Sequence, residues 1–283
     1  MLNELRRRAA EELDKLRAAV PIVEIKKKEP EIKEKNGSEH KIYCRFRSAE
    51  QIPENLEGID LIVLPLFADF SSITNKYIPF AAEIPRGILN EKAVAERLEK
   101  IKEFGVKTAF CGTLASAEIA KNAGFKFVGD IGFNVYNSHA ANLLSDLGME
   151  GVILSPELKI ENLKAVKSPI EKGYFAFGRL PVMLTRNCPV NNNDCKNCDK
   201  NRVLTDRTGA KFPVDCGNGF STVYNSAPHY LADKKEQFSS LGFSYLYFTF
   251  ETKEEAAEII NAYKNGKKPS GEFTRGLYFR EVY

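Results

Sequence analysis

The sequence predicts an α/β protein whose strand–helix repeats build a TIM-barrel-like domain. From about residue 41, short apolar runs bounded by turn residues alternate with stretches of helical periodicity. Roughly seven or eight such units imply a mainly parallel sheet that closes, in full or in part, into a (β/α)8-like barrel. An open doubly wound sheet is the second reading, but no G-x-G-x-x-G fingerprint follows the early strands, which weakens dinucleotide binding.

Taken in order, residues 2–19 place Leu2, Leu5, Ala9, Leu13, Leu16 and Ala19 near helical spacing, giving an amphipathic N-terminal helix with a charged outer face. Ile22-Val23-Glu24-Ile25 reads as a short strand. The stretch to His40 is rich in Lys, Glu, Gly, Ser and Asn, so residues 1–40 form a helix and charged linker, and 41–283 the barrel-like domain. Within that domain, strands are predicted at 59–65, 78–83 and 107–111, then at 126–136, 151–155, 173–178, 221–225 and 243–249. Helices are predicted at 91–104, 114–123, 139–147, 160–167, 228–240 and 253–264, with Gly124 and Gly148 as stops. In such a barrel the working groups stand at the C-terminal ends of strands, which singles out Glu83 and Arg86, Asn134 and Asn137, and Ser155 and Glu157.

The composition, 43% hydrophobic and 28% charged over 283 residues, is that of a soluble globular chain. No run approaches the roughly 20 apolar residues of a membrane span. The opening Met1-Leu2-Asn3-Glu4-Leu5-Arg6-Arg7-Arg8 enters a charged helix instead of an apolar signal core, so the expected compartment is the cytoplasm. A net charge of +3 permits an RNA partner without demanding one. Lys26-Lys27-Lys28 is interleaved with Glu29, Glu31 and Glu34 and reads as solvated linker.

Four of the six cysteines, Cys188, Cys195, Cys198 and Cys216, fall in the spacing C-x6-C-x2-C-x17-C within a Cys-rich loop insertion spanning 185–220. In a reducing compartment such clustering points to metal binding or catalysis before disulfides. Four thiolates suit a four-iron four-sulfur cluster, or zinc in the same tetrahedral set, while reduced or disulfide-linked cysteines without metal stay open as a third reading. Cys44 and Cys111 lie in apolar strand contexts and read as buried core. Arg86, Arg179, Arg186, Arg202 and Arg207 are candidate contacts for an anionic substrate near the barrel face, and Asp206-Arg207 reads as a local charge pair of the cysteine loop. A hydrolase would need an activated nucleophile, yet the chain has neither H-E-x-x-H nor G-x-S-x-G and only His40, His139 and His229 as imidazole bases.

The run Phe177-Gly178-Arg179-Leu180-Pro181-Val182-Met183-Leu184-Thr185-Arg186-Asn187-Cys188-Pro189-Val190, with Leu204-Thr205-Asp206-Arg207-Thr208-Gly209 and Phe212-Pro213-Val214, resembles the collagenase-like peptidase family, peptidase U-32. Asn134-Val135-Tyr136-Asn137-Ser138, Leu154-Ser155-Pro156-Glu157-Leu158 and Tyr224-Asn225-Ser226 continue the likeness, over about residues 60–260. The resemblance is to the C-terminal second half of long members, which implies a first-half barrel as a partner domain. The family name implies peptide or collagen hydrolysis. Other relatives imply a cysteine-ligated iron–sulfur cluster acting in oxygen-independent hydroxylation of RNA bases or a quinone precursor, with prephenate as oxygen source in some. Cys188 matches the first cluster cysteine. Where many catalytic halves carry His-Gly, this chain has Phe177-Gly178, which leaves a non-catalytic accessory module as a further reading.

Overall fold

Eight parallel strands close into a barrel in a computed structural model that describes residues 1–19, 32–35, 39–73, 77–190, 196–198 and 202–280. The chain divides into residues 1–31 and 32–283. In the first unit, helix α1 (Leu2–Ala18) buries none of its residues and carries an Arg7–Glu11 pair one turn apart, at 3.7 Å. The strand predicted at Ile22–Ile25 and the Lys26–Lys28 run lie outside the described residues.

In the second unit the barrel strands are β1 (Lys41–Arg45), β2 (Leu61–Pro65), β3 (Phe80–Glu83), β4 (Thr108–Cys111), β5 (Lys126–Gly129), β6 (Gly151–Ile153) and β7 (Glu171–Gly178). After an excursion that contains β8 (Pro181–Thr185), β9 (Val203–Thr205), β10 (Lys211–Gly217) and β11 (Phe220–Tyr224), the chain returns through β12 (His229–Tyr230) to the eighth barrel strand, β13 (Phe243–Tyr247). Each barrel strand pairs in parallel with its neighbours, and β6 with β7 and β7 with β13 complete the circle. The barrel is closed, so the incompleteness allowed by the sequence does not occur.

Helices α2 (Glu91–Ile101), α3 (Leu114–Asn122), α4 (Ser138–Asp146), α5 (Ile160–Ala165) and α6 (Lys253–Lys264) follow β3, β4, β5, β6 and β13 in the chain. Their starts are set locally. Asn90 and Asn137 each accept a backbone N–H through the side chain, and Thr113–Ser116 and Thr252–Glu255 form capping boxes. Each cap contributes about 0.5–2 kcal/mol.

Strand alternation sorts side chains into two cores. Cys44, Ile62, Leu64, Ala82, Ala109, Cys111 and Leu246 face the outer layer, while Tyr43, Leu61, Val63, Ala81, Phe110, Val128, Ile153, Phe175, Phe243, Tyr245 and Tyr247 fill the barrel. Continuing the inward phase by one step at the C-terminal ends reaches Arg45 after Tyr43, Glu83 after Ala81 and Asp130 after Val128. The top of the barrel is therefore charged where its middle is apolar.

Three predicted elements differ. The strand expected over 126–136 stops at Gly129, because Asp130 accepts from Gly132 N at 2.5 Å and starts the 3-10 turn Ile131–Phe133. The strand expected at 221–225 is β11, outside the barrel. The helix expected over 228–240 is β12 followed by the 3-10 segment Ala232–Phe238. Its first residues are drawn into the sheet because β6 pairs only with Glu171–Gly173, leaving the upper edge of β7 to pair with His229 and Tyr230.

Candidate functional site

The Cys-rich excursion is built largely of strand. β8, β11, β10 and β9 form an antiparallel four-stranded sheet in that order. The β10–β11 turn is Asn218-Gly219, with φ +53° and +79°, so both central residues adopt the left-handed conformation that a two-residue hairpin requires. Asp206 closes the β9–β10 turn by accepting from Thr208 N at 2.8 Å and Ala210 N at 2.9 Å. These contacts show Asp206 serving its own turn.

Between this sheet and the barrel mouth lies a cavity of about 500 Å³, within the range of small-molecule sites. Its barrel side is Arg45, Glu83, Arg86 and Tyr247, and its sheet side is Pro181, Val182, Met183, Leu184, Phe220 and Cys216. One wall is ionic and the other mostly apolar.

Arg45 anchors the ionic wall. Its Nε and Nη2 donate to Glu83 Oε2 at 2.9 and 2.6 Å, its Nη1 donates to the Phe248 carbonyl at 3.1 Å, and its guanidinium lies 4.5 Å from the Tyr247 ring centre. Burial, the largest single effect, acts to lower the Arg45 pKa, but the Glu83 carboxylate together with the surrounding Tyr247, Tyr224 and Tyr245 phenols outweighs it and holds the guanidinium well above its ordinary value. Arg86 behaves in the same way: burial opposes its charge, and Asp130, 3.4 Å away, raises its pKa. Burial pushes the Tyr247 and Tyr224 phenols up, so both are neutral donors at pH 7. The cavity thus presents fixed cations and phenolic hydroxyls over a hydrophobic face.

Of the residues expected at strand ends, Glu83 and Arg86 line this cavity. The others are used elsewhere. Asn134 is left-handed and accepts from Ser155 Oγ at 2.5 Å, Ser155 Oγ in turn accepts from Glu157 N at 3.1 Å, and Asn137 caps α4. Arg179 donates to the Asn225 and Ser226 carbonyls. Arg186 and Arg207 are exposed. Arg45, Arg47, Asp215, Tyr224 and Tyr247 were not singled out by the sequence. The signal that finds Arg45 is its phase: in Tyr43-Cys44-Arg45 a charge stands two residues past an inward aromatic.

The described thiols of the cysteine segment lie on or near the four-stranded sheet. Cys216 is on β10 and lines the cavity, with its sulfur 3.4 Å from Ser221 Oγ. Cys188 follows β8, and both it and Cys198 are half-buried. Cys195 lies outside the described residues. Arg202 stands near two of them: the Cys198 thiol is the main cause that raises its pKa, and Cys216 adds to it more weakly. Among the described residues no three His, Cys, Asp or Glu side chains converge to hold a metal. The described thiols of this segment are three of the four candidate ligands, and they stand on or next to one sheet.

None of the three histidines lines the cavity. His40 Nδ1 is 2.7 Å from the Leu241 carbonyl, His139 is exposed on α4, and His229 is fully buried. Cys44 and Cys111 are core, and burial raises both thiols, Cys111 to about 12. In metal-free native protein, iodoacetamide should modify Cys188, Cys198 and Cys216 while Cys44 and Cys111 react only on unfolding, as peptide mapping will show. Modification of Cys44 at the rate of Cys216 would contradict the burial.

Residues 89–201 match peptidase family U32, from just before α2 through Cys188, Cys195 and Cys198. The U32 match covers less than half of the chain and leaves out Arg45, Glu83, Arg86 and Cys216. The fold is similar to a structure described as the U32 peptidase Mk0906, at 12% identity and TM-score 0.49, covering 79% of this chain and 98% of that one. A type I 3-dehydroquinate dehydratase from Clostridium difficile, bearing covalently modified comenic acid, aligns at 10% identity and TM-score 0.32 over 49% of this chain and 76% of its own. No curated protein matches. Among the described residues no helix is long and apolar enough to cross a membrane.

Proposed function

We propose that this chain is a U32-type domain whose thiols Cys188, Cys195, Cys198 and Cys216 hold an iron–sulfur cluster, with zinc as the other candidate, and that it acts in or assists oxygen-independent hydroxylation of RNA. One observation supports the reading most: Cys216 lines the same cavity as Arg45, Arg47 and Arg86. A thiolate-held centre there would stand over a floor suited to an anionic substrate. A cluster of this kind supplies one-electron redox chemistry when bound. The chain's own residues bind and orient: Arg45 is fixed by Glu83, Tyr224 and Tyr247 offer neutral hydroxyls, and Val182, Met183, Leu184 and Phe220 keep one wall apolar.

Hydrolysis is the weaker reading, since a cysteine nucleophile needs a base beside it and the cavity is lined by no histidine. A non-catalytic role beside a first-half barrel is the accessory form of the same proposal.

Anaerobic purification followed by iron, sulfide and zinc analysis tests the centre. Iron and sulfide in near-stoichiometric amount, lost in Cys188→Ala and Cys216→Ala, are expected. Protein free of all three under those conditions would overturn the coordination. For the RNA role, deletion should remove a hydroxylated nucleoside that returns with the wild-type chain and not with Cys188→Ala; an unchanged nucleoside profile would refute it.

A further inference from the structure

The four-stranded sheet leaves and rejoins the barrel through a pinched stalk. The outgoing strand passes Gly178-Arg179-Leu180 and the returning one Asn225-Ser226, and the two are tied side by side: Asn225 N donates to the Leu180 carbonyl at 2.8 Å, and Arg179 Nη1 donates to the Asn225 carbonyl at 3.0 Å and to the Ser226 carbonyl. Gly178 has φ +124°, and a Cβ there would run into the Tyr247 carbonyl oxygen, so the exit angle is one that glycine alone accepts. The strands β8, β9, β10 and β11 hang on this stalk.

Away from the stalk, the sheet meets the barrel mouth at a few points. The Phe220 ring lies flush on Gly87 in the loop after β3, where a Cβ would stand 2.6 Å from three ring carbons. Leu89 packs against Gly219 at the hairpin tip, where a Cβ would stand 2.5 Å from Leu89 Cδ1. Arg47 Nη2 donates to Asp215 Oδ1 at 2.6 Å, with both side chains partly exposed. The cavity lies between stalk and seat, and Cys216 is the residue after Asp215.

We propose that the β8–β11 sheet is a hinged lid over the barrel mouth, and that its closed register, and with it the position of Cys216 at the cavity, is set by the Arg47–Asp215 bridge and the seating of Phe220 on Gly87. The hinge is the Gly178–Leu180 and Asn225–Ser226 stalk. Arg47 and Gly87 are positioning residues. Opening admits a ligand to the ionic floor; closing lays the apolar wall and Cys216 over it and excludes water. This deepens the functional reading above, yet it depends on backbone and side-chain contacts and not on any metal.

Hydrogen exchange followed by mass spectrometry on metal-free protein, with alkylation of Cys216 as a second readout, tests it. Gly87→Ala wedges the Phe220 seat, and exchange across 214–224 should rise about tenfold, a usual penalty for overpacking, with β1–β6 amides unchanged. Arg47→Ala should raise it by roughly two- to fivefold, as befits a half-exposed bridge, with partial recovery in Arg47→Lys. In a Phe220→Ala background, Gly87→Ala should add nothing, because the wedge has no ring to meet. Cys216 alkylation should quicken in step. Unchanged exchange in both single variants, or exchange that rises equally through the barrel strands, would overturn the lid. Because metal is absent throughout, failure here is distinguishable from failure of the thiolate centre, which the metal analysis decides separately.

Discussion

Glu83→Leu should destabilise the fold by about 3–5 kcal/mol, the usual cost of leaving a buried charge without its partner. The Arg45 and Glu83 side chains are only 9% and 14% exposed, and Glu83 Oε2 receives two of the guanidinium's hydrogen bonds. Without the carboxylate, Arg45 keeps the Phe248 carbonyl and the Tyr247 ring, neither of which carries a countercharge. Arg45→Met alone should also be destabilising, since Glu83 then faces the barrel unpaired. The double variant Arg45→Met/Glu83→Leu should recover most of the loss, because an apolar pair of similar volume costs little in such a place. Urea unfolding of the four proteins measures this as a double-mutant cycle. A loss below about 1 kcal/mol in Glu83→Leu, within the range of an exposed pair, would show that water reaches the site freely. Recovery in the double variant would also separate stability from function: the barrel would stand while the Arg45–Glu83 ion pair was gone from its mouth.

That pair shows which layer of the molecule was legible in the sequence. Apolar runs such as Leu61–Leu64 and Ala109–Cys111 are buried on both faces, so they announce parallel strands without saying which side chains point inward. The phase appears at strand ends, where Arg45 and Glu83 are read inward by counting two residues from Tyr43 and Ala81. Glu83 is legible because it stands at a strand end followed by Arg86. Arg45 is less so, because it directly follows Cys44, whose apolar context marks core.

The cysteine segment differs for another reason. Its thiols and turn residues suggest a loop, yet Asn218-Gly219 between Phe212–Gly217 and Phe220–Tyr224 is a hairpin signal of the strongest short-range kind. Once that hairpin forms, β8 and β9 have edges to join. His229 after Pro228 reads locally as a helix start, and no local signal shows otherwise: its pairing with Gly178 follows from the shortness of β6, a tertiary fact.

The same histidine should give the chain an acid limb of instability beginning near pH 6.5. His229 is fully buried, and neither ring nitrogen has a hydrogen-bond partner among the described residues. Its ring packs against Phe175 and Tyr278 at 5.9 and 5.1 Å between centres, with Gly276 so close that a Cβ there would stand 2.9 Å from the imidazole. Burial, with the Arg275 cation as a smaller cause, lowers its pKa from 6.5 to about 3. The folded chain therefore keeps a neutral ring while the unfolded chain takes up a proton below pH 6.5. Stability is fully present above that value and is lost as pH falls toward 3, at about 1.4 kcal/mol per unit and on the order of 4 kcal/mol in all. The carboxylates held low in the fold, Glu171 by burial offset by Lys41 and Lys35 and Asp233 by burial offset by Arg275, contribute losses only below their unfolded values near 4. The window from pH 6.5 to about 5 consequently belongs to His229. Urea midpoints measured across it should fall for the wild type and stay level for His229→Leu, whose side chain has no proton to gain. Parallel curves would mean that the imidazole is already hydrated or charged in the fold, and that the upper edge of β7 opens to water where β12 now closes it.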